Sequence, residues 1–462
     1  MESAGPEQLS AADASHIEID AADQVNSFLL AGILGVGGFV SRAAVDLDAL
    51  RHHLLRRLGD PARPGLARFT QRVDVAHLPL TWESCEPDLR WHVRLSDPVE
   101  GEEGLAALAA ALMTVPMPLD RPLWELLVVP GARADGVGLI LRLHHAVADG
   151  VHGVRLVTEL LGARARPPSP PAAAPAADVV ADAAADAAST SASARQVAHD
   201  RRESWGRSGR ESWRRSRRES WRRMATSAVR MTAVLRATVP RTVLLGRISP
   251  RRGVALVDVD LEALARAARS EGATVNDALL SAVGVAVAEA LRSSGQPVPP
   301  ALPASVPVAL PGGGTSGNAV GVMVVPLPTD EPDPDRRLAR IAAATRSQKE
   351  AARVQGTFEL TRSRWGSKVF AWLARRQRFV ALFVTNVRGP REQLDVAGAP
   401  LLKAWPVAPL QGNVRCGVAA MSYAGRLGVA LHCDADALRV QEAGRALAAE
   451  LERIAEARPT QR

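Results

Sequence analysis

After Ala163 the sequence runs RARPPSPPAAAPAADVVADAAADAASTSASA, a stretch of proline, alanine and serine with almost no large apolar residue. It cannot bury enough surface to offset the entropy of ordering it, so it reads as a flexible linker that divides the chain. At 462 residues the chain also exceeds what one hydrophobic core serves. Two lobes are therefore expected, residues 1–163 and 246–462, separated by an insert at 164–245. Hydrophobic residues make up 47% and charged residues 23%, enough for a sizeable core. Cys85, Cys416 and Cys433 form no CxxC pair and have no histidine at zinc-ligand spacing. Neither a disulfide framework nor a metal is suggested, and the compartment is expected to be reducing.

The charge is unevenly placed. Against a formal net charge of +8, ten arginines and three glutamates lie between Arg201 and Arg223, which leaves the rest of the chain almost neutral. That segment is an eight-residue repeat, RRESWGRS, GRESWRRS, RRESWRRM, with Trp205, Trp213 and Trp221 at equal intervals. Eight residues overshoot two helical turns by about 80°, so on a helix the tryptophans would spiral instead of lining one face. Two readings stand. One is an interfacial segment with tryptophan at headgroup depth and arginine attracting anionic lipid; the other is a solvated, repeat-expanded linker. Nucleic-acid binding is not expected, because no recognised nucleic-acid fold accompanies the charge.

The first twenty residues carry acidic groups where a secretory signal carries a basic region. Phe28 to Val40 (FLLAGILGVGGFV) is shorter than the roughly 20 residues that cross a bilayer, so it reads as a core strand or a buried helix. A cytoplasmic location is expected. In the second half, helical periodicity covers Glu262 to Arg269, Asn276 to Arg292, a basic stretch around Arg336 to Arg378, and Val440 to Ala457. Strands are expected at Ala304 to Leu310 and Val320 to Leu327, and a hairpin pairs Val418 to Tyr423 with Arg426 to Cys433.

The residues that carry chemistry follow Val137 to Leu143 (VGLILRL), a short apolar run typical of a buried strand. His144, His145, Ala146, Val147, Ala148, Asp149 and Gly150 come next, before a helical run closed by Gly162. Histidines at a strand end sit where a rigid scaffold presents side chains to a cleft. Neutral imidazole, with an ordinary pKa near 6.5, can take a proton from an alcohol or thiol as that group attacks a thioester. Because a thioester is already activated, no enzyme nucleophile, cofactor or metal is required. Asp149 is read as fixing the loop, and Gly150 as permitting a sharp turn into the helix. His52 and His53 are also paired, but within a basic helical pattern, and are read as surface residues.

HHAVADG (144–150) resembles the HHxxxDG pattern of the CoA-dependent acyltransferase superfamily. Within it, the chain resembles the bacterial wax ester synthase/acyl-CoA:diacylglycerol acyltransferase family. The similar segments are PLDRPLWELLVV (118–129), TVNDALLSAV (274–283), GNAVGVMVVPLP (317–328), FVTNVRGP (383–390), PVAPLQGN and SYAGRLGVAL, in family order. The resemblance implies a two-lobed α/β, chloramphenicol acetyltransferase-like fold with a central tunnel. It makes His145 the base, with His144, Asp149 and Gly150 as motif support. Pro122, Leu123 and Trp124 match the family's PLW and are expected to shape an acyl channel or lobe packing. Asn276 and Asp277 match its ND. Asn276 is read either as a hydrogen-bond donor to the oxyanion or, with Asp277, as a helix N-cap. The sequence departs from the family where it reads PASVPVALPGGGTSG and where Arg388 stands in Asn386 to Pro390.

The resemblance implies acyl-CoA as co-substrate, with diacylglycerol or a long-chain alcohol as acceptor. The setting it implies is peripheral to the inner membrane or lipid droplets, with Arg201 to Arg223 as one candidate contact. Two alternatives remain: the same chemistry on a polyketide or glycolipid hydroxyl, and a non-catalytic lipid-binding or membrane-tethering protein.

Overall fold

The computed structural model describes residues 7–21, 23–42, 44–148, 150–162, 239–309, 320–355 and 374–457. Asp149, nearly all of the 164–245 insert with its Arg201 to Arg223 repeat, Gly312 to Gly314 and the basic stretch from 356 to 373 lie outside them.

In chain order the helices are α1 (Ala11–Glu18), α2 (Leu47–Leu58), α3 (Leu89–His92), α4 (Gly101–Leu112), α5 (Gly150–Leu161), α6 (Leu261–Ser270), α7 (Val275–Ser293), α8 (Pro334–Gln355) and α9 (Val440–Glu456). The strands of the first half are β1 (Glu7–Gln8), β2 (Ser27–Gly35), β3 (Gln71–Asp74), β4 (Thr81–Ser84), β5 (Val93–Leu95), β6 (Trp124–Arg133) and β7 (Gly136–His144). Those of the second half are β8 (Arg252–Asp260), β9 (Ala301–Ala309), β10 (Val320–Pro328), β11 (Leu382–Arg388), β12 (Asp395–Val396), β13 (Ala399–Val407), β14 (Cys416–Tyr423) and β15 (Arg426–Asp434).

Two six-stranded sheets organise the chain, ordered β12-β13-β2-β7-β6-β5 and β10-β9-β11-β14-β15-β8, beside a small sheet β1-β4-β3. This mixed α/β arrangement matches the expected two-lobed α/β fold class. The apolar run at Phe28 resolves as strand, because successive residues of β2 point to opposite faces and both are covered. Leu29, Ala31 and Ile33 pack with Leu105 and Ala109 of α4 and with Val254 and Ala430 of the second sheet. Leu30 and Leu34 pack on the other side with Leu50 and Leu54 of α2 and Leu156 and Leu160 of α5. Around the second sheet, Leu279, Val283 and Val287 of α7 share a core with Leu447 and Leu451 of α9.

One segment departs from the division at 246. β13, from the second half of the chain, pairs antiparallel with β2 in the first sheet, Ala31 opposite Trp405. Without it β2 would be an unpaired edge buried on both faces, with its backbone groups unsatisfied. The crossing is tight. A Cβ on Gly428 of β15 would lie 2.0 Å from the Ala404 carbonyl, so β15 passes β13 only with glycine there. Trp405 donates its indole N–H to the Val257 carbonyl of β8 at 3.0 Å, and Lys403 bonds Glu102 of α4 at 2.8 Å.

Two core histidines make the fold acid-sensitive. His92 and His432 are 1% and 2% exposed, each donating Nδ1–H to a carbonyl, of Trp124 and Ala408 respectively. Burial holds both pKa values down at about 4. Each stays neutral when folded but binds a proton on unfolding below its ordinary pKa near 6.5. Stability is therefore full above that value and is lost as pH falls from 6.5 toward 4. Together they are expected to cost about 3–4 kcal/mol between pH 7 and pH 5, read by urea unfolding at the two pH values. An unchanged midpoint would mean that these rings are hydrated.

Candidate active site

β7 carries the motif to its place. Ile140, Arg142 and His144 point to the α4 side of the sheet, while Leu139, Leu141 and Leu143 enter the opposite core. Arg142 is 3% exposed and ion-paired at 2.6 Å with Glu125 of β6, itself 2% exposed. Its Nη1 also donates to the Leu112 carbonyl at the end of α4, where the helix dipole favours a cation, and to the Val115 carbonyl in the turn beyond it, both at 2.7 Å.

His144 is fully buried at the strand end. Its backbone N–H donates to the Leu123 carbonyl at 3.1 Å, so the PLW segment holds the motif through its main chain. Its Nδ1 accepts the Ala146 N–H at 3.0 Å, which leaves the proton of the neutral ring on Nε2. Nε2 faces Asp20 Oδ2 at 3.5 Å.

His145 begins the turn into α5. Its backbone N–H donates to the Asn26 carbonyl at 2.8 Å, just before β2. Its half-buried ring stacks on His16 of α1, with centroids 5.2 Å apart and planes at 19°. It meets the Phe28 ring edge-on at 5.1 Å. Burial, reinforced by His16 and His144, pushes the His145 pKa down to about 3, and burial chiefly pushes His16 to about 4. The ring is thus unprotonated at neutral pH, the state a general base requires.

Leu123 and Trp124 are fully buried, and Pro122 is buried beside them. Trp124 stacks on His92 at 4.4 Å and donates its indole N–H to the Phe69 carbonyl at 3.0 Å. Of the two expectations for this segment, the geometry supports packing within the first lobe. The cap of α7 is Thr274, not Asn276. Thr274 Oγ1 accepts the Asp277 N–H at 3.2 Å, and Asp277 Oδ2 accepts the Thr274 N–H at 2.9 Å. Asp277 Oδ1 is taken by the Thr345 hydroxyl at 2.7 Å, and Asn276 stands half-buried in the first turn. Gly150 opens α5 as expected, but space does not demand glycine there. An added Cβ would meet Val387 Cγ1 at 3.6 Å, an ordinary contact. His53 corrects another expectation. It is half-buried and its pKa is lowered, first by burial, whereas His52 is exposed.

Sequence reasoning missed the N-terminal wall of the site: His16, Asp20 and Asn26. A signal was present in Ser10 followed by Asp13, a helix-start pattern; Ser10 Oγ accepts the Asp13 N–H at 3.1 Å and caps α1. Gly153 of α5 makes room for Phe28, whose Cζ lies 2.7 Å from where a Cβ would be. Gly153→Ala is therefore expected to push that ring against His145 and lower turnover by about tenfold, because small misplacements of reacting groups are costly. A wild-type rate would show that Phe28 can turn elsewhere.

The sequence pattern of the wax ester synthase/diacylglycerol acyltransferase catalytic domain matches residues 9–279, a span that includes α1, Asp20 and the histidine motif. The pattern of the C-terminal domain of the same proteins matches residues 316–455. The chain belongs to the wax ester synthase/diacylglycerol acyltransferase family. It is an acyltransferase. A probable diacylglycerol O-acyltransferase of Mycobacterium tuberculosis H37Rv is 27% identical over 457 residues, covering 93% of this chain and 91% of that protein. A putative diacylglycerol O-acyltransferase of the same strain is 28% identical over 416 residues, 85% and 84% of the two chains. The fold matches the solved wax ester synthase/diacylglycerol acyltransferase from Marinobacter aquaeolei VT8 with a TM-score of 0.65, at 18% identity over 98% of this chain and 100% of that one. Polyketide synthase associated protein 5 from Mycobacterium tuberculosis shares the fold more distantly, with a TM-score of 0.53 at 14% identity, over 97% and 98% of the two chains. Among the described residues, no single helix of this family member is long and apolar enough to cross a membrane.

Proposed function

We propose that this acyltransferase moves a long-chain fatty acyl group from acyl-CoA to the hydroxyl of diacylglycerol, of a long-chain alcohol, or of both, with His145 as general base. The observation that carries the reading is a neutral imidazole at the end of β7, held by its backbone and left half-buried between His16 and Phe28. Its ring takes the hydroxyl proton as the oxygen attacks the thioester carbonyl. The tetrahedral intermediate then collapses, the C–S bond breaks, and the departing CoA sulfur recovers the proton from the imidazolium. No acyl-enzyme forms. Asp277 is committed to the capping box and Thr345, so Asn276 is the member of that pair with an amide to offer the oxyanion. Attachment at a membrane or lipid-droplet surface belongs to the same reading, since both lipid substrates partition there.

The test supplies purified enzyme with palmitoyl-CoA and either diacylglycerol or hexadecanol, following free CoA thiol and identifying the lipid product. CoA release only when an acceptor is present supports direct transfer, and the better acceptor names the activity. Release without acceptor, or none with either alcohol, overturns the reading and returns attention to other hydroxyl acceptors or to lipid binding.

A further inference from the structure

The histidine motif is held from outside itself. Asp20 lies between α1 and β2, far from the motif in sequence, with a side chain only 7% exposed. Its Oδ2 faces His144 Nε2 at 3.5 Å, and its Oδ1 accepts the Asn26 N–H at 2.8 Å. The Asn26 carbonyl in turn accepts the His145 N–H at 2.8 Å, while the Asn26 side chain donates to the His16 carbonyl at 3.2 Å. A single buried carboxylate therefore touches the first histidine through its ring and the second through one intervening residue. Burying a carboxylate is costly unless it is paired and hydrogen-bonded, and here the site supplies both partners. His16 and Arg142 are the other charged or titratable groups that feel it.

We propose that Asp20 is a positioning residue for acyl transfer, holding the His144 ring from its Nε2 side and the backbone at His145. The inference rests on the reading of His145 as the base. The rival is that Asp20 only shapes the turn before β2 by accepting the Asn26 N–H. Asp20→Asn separates them. The amide has one oxygen, so it can serve the Asn26 N–H or the His144 Nε2–H, and its NH2 then opposes the other donor. Positioning predicts a kcat about 10- to 100-fold lower with KM for palmitoyl-CoA unchanged, at an unaltered thermal midpoint. It also predicts non-additivity with His144→Gln, the double variant being no slower than the slower single one. Nitrogen-15 NMR of histidine-labelled wild type, with His144 assigned through His144→Gln, should show the His144 proton on Nε2.

A folded Asp20→Asn enzyme with wild-type kcat overturns the inference, as does a wild-type His144 protonated on Nδ1. Should Asp20→Asn fail to fold, Asp20→Glu decides on the same terms: it keeps the charge but moves the carboxylate, so positioning predicts a lowered kcat at an unchanged KM, and a wild-type kcat overturns the inference. His145→Ala is run beside these. If it retains activity, the base assignment has failed whatever Asp20 does; if it is inactive while Asp20→Asn is normal, only the role of Asp20 has failed.

Discussion

Replacing His145 by alanine is expected to lower acceptor-dependent CoA release by about two orders of magnitude or more, the usual contribution of a positioned general base. The fold should tolerate the change, because the bond to the Asn26 carbonyl is made by the backbone and survives. What is removed is the ring between His16 and Phe28. His145→Gln keeps volume and hydrogen-bonding capacity but cannot accept the proton at neutral pH, and the same loss is expected. With the wild-type ring held down at about 3, the kcat/KM profile should lack a protonation limb near the ordinary histidine pKa of about 6.5. A variant that keeps a tenth or more of the wild-type rate, with its thermal midpoint unchanged, would place the base elsewhere.

The largest expected effect on stability comes from Glu125→Ala, about 3–5 kcal/mol, because it strands a buried charge. Glu125 and Arg142 are 2% and 3% exposed, and Arg142 is tied to the end of α4, so it cannot turn to water. Glu125 also holds Arg94 at 2.6 Å. Glu125→Gln keeps the shape and should cost less, since its one amide oxygen still accepts from one guanidinium, although its NH2 then opposes the other. The measurement is chemical unfolding of the two variants beside wild type. If Glu125→Ala unfolds within about 1 kcal/mol of wild type, the Leu112 and Val115 carbonyls suffice for the guanidinium. The pair also bears on the site, because Arg142 precedes His144 by two residues on the same face of β7.

Much of the local structure was legible because periodicity reports what each element buries. VGLILRL reads as strand and becomes β7, Asn276 to Arg292 reads as helix and becomes α7, and the Val418 to Cys433 hairpin forms in register, Val418 opposite Leu431. Phe28 to Val40 stayed ambiguous between strand and helix, since a segment buried on both sides has no polar face to set a period. Capping was misplaced by two residues at α7, because Asn276 and Thr274 are both good cap residues and only the chain's turn decides which is used. Cys416 and Cys433 looked unrelated in sequence, yet they stand directly opposite each other on β14 and β15, both buried and free.

The sequence by itself determined the family, the two-lobed α/β fold class and His145 as the candidate base, because a strand running into HHAVADG is a local pattern and the supporting segments follow in order. It also determined the separation of the Arg201 to Arg223 charge from the rest of the chain. Only the tertiary structure decided that β13 completes the first sheet, that the PLW segment holds the motif by a carbonyl while its tryptophan fills the first core, and that His16, Asp20 and Asn26 wall the site. The reason is one of range. Periodicity and capping are set by neighbours a few residues apart, whereas the strand beside β2 and the carboxylate facing His144 are settled by which distant surfaces exclude water together.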